Sequence, residues 1–329
     1  MQDRLVRYQE AARRAVDWVI PRISKDGTIA GSEDIVFGYY KALPALWTGG
    51  RPIEAGRILN RIRNRFFENG RFETDGDRYP GASSGPGYRH AWFVIGAHMM
   101  GAYDVSMPAI ATMELDLDPD SGGVGNGAHD PAADWGTTCN VINALLAGNR
   151  VEAAVKAGQL IERMLEAQSN PRRMIMRWDP QRGIFDPSPD IPRKGWNIGI
   201  GERKQTYWYI GIAMYTFARL YEATGEKHWL GSADKLLEFA LACREDFAGN
   251  MNTSKLAWGA SQMAAHSANP QYKELAMEVA DWIAQSQCAS GIWVRNPDVH
   301  TEETQPIPIT LDATLDRAFY LTEVIAALA

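Results

Sequence analysis

The sequence has little cysteine: three residues in 329, Cys139, Cys243 and Cys288, widely spaced and in no C-x-x-C pair. A disulfide scaffold is excluded, and a reducing compartment, the cytoplasm, is the expected location. Long apolar runs are missing too. None approaches the roughly 18 residues of a membrane span, and the first twenty residues, MQDRLVRYQEAARRAVDWVI, carry charge throughout, so no membrane span is expected and the chain reads as soluble and unprocessed. Positive charge is not in excess. With 34 Lys and Arg against 40 Asp and Glu, the formal net charge is −6, which argues against a nucleic-acid partner. There is no G-x-x-x-x-G-K-[ST], no H-E-x-x-H and no Cys/His cluster with zinc spacing. Asp116, Asp118 and Asp120 in DLDPDSGG lack the glycine position and closing glutamate of a calcium loop and read as a solvated turn. No metal or cofactor is expected.

What the chain does have is 45% hydrophobic residues and 11 tryptophans, enough for a large core. No linker or charge block divides it, so residues 1–329 are expected to form a single domain. One pattern recurs six times: an amphipathic helix, a Gly-x-apolar turn, then a helix apolar around most of its circumference. The turn glycines are Gly27, Gly70, Gly122, Gly183, Gly249 and Gly291, spaced 43, 52, 61, 66 and 42 residues apart. Before the turns come stripes such as Leu5, Tyr8, Ala12, Ala15 and Val19. After them come VFGYYKALPALW (36–47), AWFVIGAHMMGAY (91–103), TTCNVINALLAG (137–148), TYWYIGIAMYTFARLY (206–221), LAWGASQMAAH (256–266) and a segment near 311–328. Helices with one wet face alternating with helices apolar all round describe an all-α (α/α)6 toroid, six inner helices inside six outer ones. The third outer helix, at about 104–116, is the weakest because it contains Pro108. An open solenoid is the alternative, but solenoids favour uniform repeat lengths.

Connections from outer to inner helix are long (68–86, 116–131, 168–204 and 289–310), whereas the returns are short. Function gathers on long loops of a rigid scaffold, so the cavity mouth is expected at the N-terminal ends of the inner helices. The residues there are polar and aromatic: Glu33, Asp34, Tyr39, Tyr40; Tyr88, Arg89, His90, Trp92; Asp134, Trp135, Thr138, Cys139; Gln205, Tyr207, Trp208; Lys255, Trp258; Asp312, Asp316. Such convergence suits a small-molecule site. Asp34, Tyr40, His90 and Asp134 are the expected acid/base groups. Tyr39, Arg89, Trp92, Trp135, Cys139, Tyr207, Trp208, Lys255, Trp258 and Asp312 are the expected substrate contacts. Helix capping by Asp34 or Asp134, a core role for Cys139, and pairing of Asp312 or Asp316 with an arginine such as Arg317 are the competing structural readings.

The turns ENGRF, DPDSGGV, PQRGIF and CASGIW, with YRHAWFVIGAHMMGAYDVSMPA and KQTYWYIGIAMYTFARLYEATGE, resemble the squalene-cyclase and prenyltransferase superfamily of α/α toroids, in particular its small single-domain members. The Asp-x-Asp-Asp run of triterpene cyclases, the Asp-Asp-x-x-Asp of ionisation-type terpene synthases and the Asp-x-Cys of protein prenyltransferases are all missing. The metal-free linalool dehydratase-isomerase type, which uses Asp, Tyr, His and Cys, is a nearer analogue, and Asp34, Tyr40, His90 and Cys139 would form a similar set. The resemblance implies a cofactor-independent lyase, isomerase or cyclase of specialised metabolism. Its expected substrate is a small, partly apolar molecule in an aromatic-lined cavity. A second reading is a carbohydrate-active enzyme of the unsaturated glucuronyl hydrolase or sugar epimerase type, with two carboxylates flanking a glycosidic bond and Arg89 with Lys255 holding a uronate. A third is a non-catalytic partner of another copy or of a carrier protein. The cavity separates the first two: closed and apolar for one, open and rimmed by Arg and Asp for the other.

Overall fold

The computed structural model describes residues 1–72, 86–125, 130–186 and 196–329. Parts of three long connections, 73–85, 126–129 and 187–195, lie outside the described residues. Twelve α-helices run in six outer/inner pairs: α1 (Gln2–Val19) with α2 (Ala42–Thr48), α3 (Pro52–Arg65) with α4 (Pro86–Met99), α5 (Tyr103–Leu115) with α6 (Trp135–Ala147), α7 (Val151–Glu166) with α8 (Trp208–Thr224), α9 (His228–Ala242) with α10 (Ser254–Ala264), and α11 (Pro270–Gln285) with α12 (Ile307–Leu328). Each even-numbered helix touches the next, and α12 returns to α2, so the ring closes into the expected (α/α)6 toroid. All six turn glycines adopt positive φ, between +74° and +96°. A side chain at Gly27 would also collide with the backbone, its Cβ falling 2.1 Å from the Arg57 carbonyl oxygen.

The one-faced helices bury their stripes as the sequence requires. In α1, Leu5, Tyr8, Ala12, Ala15 and Val19 face the core. α5 forms across its proline, with Pro108 inside it. The first inner segment departs from the expected continuous helix. A 3-10 turn covers Val36–Gly38, and α2 begins only at Ala42. Pro44 accounts for the interruption. Its ring would clash with the carbonyl four residues back, at Tyr40, so the helix cannot run back through that residue. Tyr40 and Lys41 therefore sit in a turn at the head of α2.

Two contacts set the inner ring. α8 and α10 cross backbone to backbone: a Cβ on Gly211 would lie 2.3 Å from the Lys255 carbonyl oxygen, and one on Gly259 would lie 2.1 Å from that of Gly211. Along the axis, Trp258 stacks on Tyr215 at 3.7 Å and Tyr320 at 5.1 Å, with Trp92 at 5.7 Å. These rings fill the ring's interior, where each fully buried large side chain contributes about 1.5–3 kcal/mol. Among the described residues, strands are short and confined to the outer-to-inner connections. In one, Ala133–Asp134 pairs antiparallel with Arg177–Asp179, setting Asp134 opposite Arg177.

Candidate functional site

A cavity opens at the N-terminal end of the inner ring. Its walls come from Phe37, Tyr40 and Lys41 ahead of α2, Tyr88 on α4, Trp208 on α8, Met251, Asn252, Ser254 and Lys255 at the head of α10, Arg295 in the loop before α12, and Asp312, Asp316 and Arg317 on α12. It is a small cavity, about 540 Å³ with its mouth included. That admits a few waters or one polar end of a substrate.

α12 organises the charge. Asp312 and Asp316 are one turn apart, so both project from the same face. Lys41 Nζ lies between them, 2.8 Å from Asp312 Oδ1 and 2.5 Å from Asp316 Oδ1. Asp312 also accepts from the Tyr40 hydroxyl and, at 3.3 Å, from Arg295. Asp316 accepts from the Tyr320 hydroxyl at 2.7 Å and the Ser254 hydroxyl at 3.5 Å. Burial opposes ionisation of both carboxyls. Lys41 and Arg295 overcome it at Asp312, Lys255 and Lys41 at Asp316, and both are held below the ordinary carboxylate range. Burial likewise penalises the Lys41 ammonium, but the two carboxylates reverse that and raise its pKa.

Lys255 is the opposite case. Its Nζ lies 3.7 Å from Asp316 Oδ1, behind the closer Lys41, and is walled by the rings of Trp208, Tyr320 and Tyr88 at 5.2, 5.3 and 5.7 Å. Burial dominates and brings its pKa down to about 7, against the pull of Asp316 and with Lys41 adding repulsion. The cavity thus holds an amine divided between its charged and neutral forms near neutral pH. The phenols of Tyr40, Tyr88 and Tyr320 are pushed up, chiefly by burial, and keep their protons.

Of the residues singled out from the sequence, Tyr40, Tyr88, Trp208, Lys255, Asp312 and Asp316 meet on this wall. The others do not line it. Asp34 is 66% exposed on the outside, paired with Arg61 at 3.3 Å and Arg65 at 3.5 Å on outer helix α3. It precedes the 3-10 turn, not the helix, so it has no inner-helix end to sit on. His90 lies in a separate groove with Arg71 and Asp116, against Phe72 at 5.6 Å, and burial with the Arg89 charge brings its pKa down to about 4. Tyr88 and Trp92 share the axial face of α4, and helical geometry turns Arg89 and His90 away from it. Arg89 is buried, and Trp92 belongs to the axial stack.

Asp134 is the N-cap of α6. It accepts from the Thr137 amide at 2.8 Å and the Tyr209 hydroxyl at 3.2 Å, and burial raises its pKa against those bonds and Arg177. Trp208 covers this helix end: a Cβ on Gly136 would fall 2.4 Å from its ring. Trp135 and Cys139 are fully buried behind it, and burial pushes the Cys139 thiol up, far from a reactive thiolate. Tyr39 is structural, its hydroxyl accepting from the Ile29 amide at 2.9 Å. Tyr207 accepts from Gln205 at 3.0 Å and packs on Phe247. Trp258 lies in the axial stack, so one of the four expected indoles, Trp208, reaches the wall, where it joins Phe37, Tyr40 and Tyr88 among charged groups.

Lys41 and Arg295 were not anticipated. Lys41 is the single charged residue in VFGYYKALPALW, and a lone charge in a segment destined for burial needs a counter-charge. The i, i+4 acids of α12 supply it. Arg295 sits in a loop without periodicity and carried no signal.

No protein-family model matches the sequence, and no curated protein matches it. Solved structures do. The chain is similar to the α-1,6-mannanase GH76A from Salegentibacter sp. (TM-score 0.69, 14% identity, covering 98% of this chain and 100% of that one) and to a D-mannose isomerase (0.69, 11%, 98% and 97%). It is also similar to the type II terpene cyclase MstE from Scytonema, solved with the product merosterolic acid A (0.56, 14%, 100% and 100%). At these identities the likeness is one of fold: the neighbours are α/α toroid enzymes of several chemistries. Among the described residues no helix is long and apolar enough to cross a membrane.

Proposed function

We propose that the protein is an acid–base enzyme of the isomerase or lyase type, acting on a small polar substrate whose reacting end enters the cavity beside Lys255. The observation that carries this reading is the buried Lys255 amine, enclosed by Trp208, Tyr320 and Tyr88 and standing second in line for Asp316 behind Lys41. In its neutral form it is a base of suitable strength for taking a proton from a substrate C–H or O–H near neutral pH. Lys41 and Arg295 stand where they would stabilise the negative charge that develops on a neighbouring oxygen. Tyr88 keeps its proton and is the available donor for its return.

A polar wall speaks against the small apolar substrate that the terpene-cyclase resemblance implies. Glycoside hydrolysis by Asp312 and Asp316 is disfavoured as well, because one of the two carboxyls would have to be a protonated acid. Both are held ionised, Asp312 by Lys41 and Arg295 and Asp316 by Lys255 and Lys41. Catalysis from the toroid is favoured over a purely docking role, since its exposed large apolar residues, such as Ile53, Leu115 and Val299, are few.

The test is deuterium incorporation from D2O into a panel of aldoses, ketoses and sugar acids, followed by NMR. Exchange at one carbon by the wild-type chain, abolished in Lys255→Met with the fold intact, is the expected result. Undiminished exchange in that variant, or release of reducing ends from an oligosaccharide with no exchange, overturns the reading.

A further inference from the structure

We infer that the cavity recognises its substrate through a carboxylate, seated against Arg295 and the Lys255 wall, so that the substrate is a small hydroxy acid or sugar acid. The inference rests on the proposed function for its location and goes beyond it in naming the group that is bound.

The first observation is an imbalance of charge. The wall carries Lys41, Lys255, Arg295 and Arg317 against Asp312 and Asp316, formally 4 − 2 = +2, and +1 when Lys255 is the free amine. The carboxylates are already committed, Asp312 to Lys41, Tyr40 and Arg295, and Asp316 to Lys41, Tyr320, Ser254 and, at 3.7 Å, Lys255. The second observation is how the remaining cations are held. Arg317 donates to two backbone carbonyls, Ala313 at 2.7 Å and Met251 at 2.8 Å, and makes no ion pair among the described residues. Its charge is locked in place without contact neutralisation, and in a poorly solvated cavity that field favours an incoming anion.

Arg295 provides the contact. It spends one nitrogen on Asp312, at 3.3 Å, and its side chain is 34% exposed at the cavity, so part of the guanidinium fork remains open. Its backbone is fixed by Gln305, which accepts the Arg295 amide at 2.6 Å and donates to the Trp293 carbonyl at 3.1 Å. A planar fork presented by a rigid loop matches a carboxylate. Asn252 on the same wall adds an amide. The net excess of one charge with Lys255 neutral suits a monoanion. A phosphate dianion would instead draw Lys255 into its protonated form and remove the base.

Isothermal titration calorimetry on the full chain distinguishes these cases with D-glucuronate, D-galacturonate and D-gluconate, their uncharged parents glucose and galactose, and glucose 6-phosphate. At least one carboxylate is expected to bind ten-fold or more tightly than its uncharged parent. Arg295→Gln is expected to weaken it at least ten-fold, with Arg295→Lys intermediate and both variants retaining a cooperative thermal unfolding transition. Equal affinity for acid and neutral sugar, tighter binding of the phosphate, no binding of any acid, or an Arg295→Gln chain with unaltered affinity each overturns the inference. A carboxylate that binds by this pattern but shows no deuterium exchange leaves the inference standing and removes the proposed function. Exchange into a neutral sugar does the reverse.

Discussion

Acids stand at the inner ring's N-terminal end on opposite sides of the toroid, and their fates differ. On α12, Asp312 and Asp316 lie in the body of the helix and project from its flank into a cavity crowded with cations. On α6, three inner helices away, Asp134 precedes the first helical residue and folds back onto the Thr137 amide. A carboxylate at the N-cap position is absorbed by the helix's own unpaired amides. A carboxylate two turns further on has no such partner and must find one across the ring. The difference teaches that an acid's offset from the helix start decides whether it closes a helix or equips a site.

Four substitutions sharpen or break this contrast. Lys41→Met is expected to have the largest effect. It removes the one cation, among the described residues, in contact with both buried carboxylates, at a cost of about 3–5 kcal/mol, read from urea denaturation at pH 7; a loss under 1 kcal/mol would mean that Asp312 and Asp316 are not jointly held by Lys41.

Lys255→Met comes next, lowering turnover by roughly 10²–10⁴-fold as removal of a general base does, with little loss of stability at pH 7. Its pH signature is specific. The folded-state pKa of about 7 lies below the ordinary 10.5, so between about pH 7 and 9 the unfolded chain holds a proton that the folded chain has released. Stability from this residue therefore rises with pH across that window. The groups facing Lys255 are Lys41, Tyr88, Arg295, Asp312, Asp316 and Tyr320, and the shifts at the acids and phenols keep those charges constant there. Paired unfolding curves at pH 7 and 9 should show the rise in wild type and its absence in Lys255→Met.

Asp134→Ala is expected to cost about 1–2 kcal/mol through the lost cap and the unpaired Tyr209 hydroxyl, with turnover nearly unchanged. Here the linkage runs the other way. A raised carboxyl pKa means that the folded chain holds the proton longer, so stability through Asp134 falls as pH rises from the ordinary carboxylate value through the raised one. Loss of turnover in this variant, with the fold retained, would place the α6 cluster in the site. Asp34→Ala should change stability by no more than about 0.5 kcal/mol, as an exposed pair does, and leave turnover intact. A large activity loss there would restore the exterior carboxylate to the chemistry.

Much of the scaffold was legible. Gly27, Gly70, Gly122, Gly183, Gly249 and Gly291 each mark a left-handed turn, because a conformation that side chains avoid leaves glycine as its trace in sequence. The end of the toroid that carries the cavity followed from loop length. The candidate site was only half legible. Polar residues at helix starts draw attention, but capping is the commonest reason for an acid such as Asp134 to be there. Lys41 escaped notice because helical periodicity gave no sign that Pro44 would interrupt the segment and aim it inward. The companions of Asp312 were settled by contacts 272 residues apart in the chain, which no local pattern encodes.

That separation has a consequence for assembly. Tyr40 and Lys41 belong to the first hairpin and Asp312 and Asp316 to the last, so the ionic cluster is the clasp of the ring. Joining points this distant in an unstructured chain costs roughly 5 kcal/mol of closure entropy, and that cost falls only as the intervening hairpins stack one upon another. The wall of the cavity is therefore complete only when the last hairpin joins the first. A chain whose final helix has not docked lacks both acids of that wall.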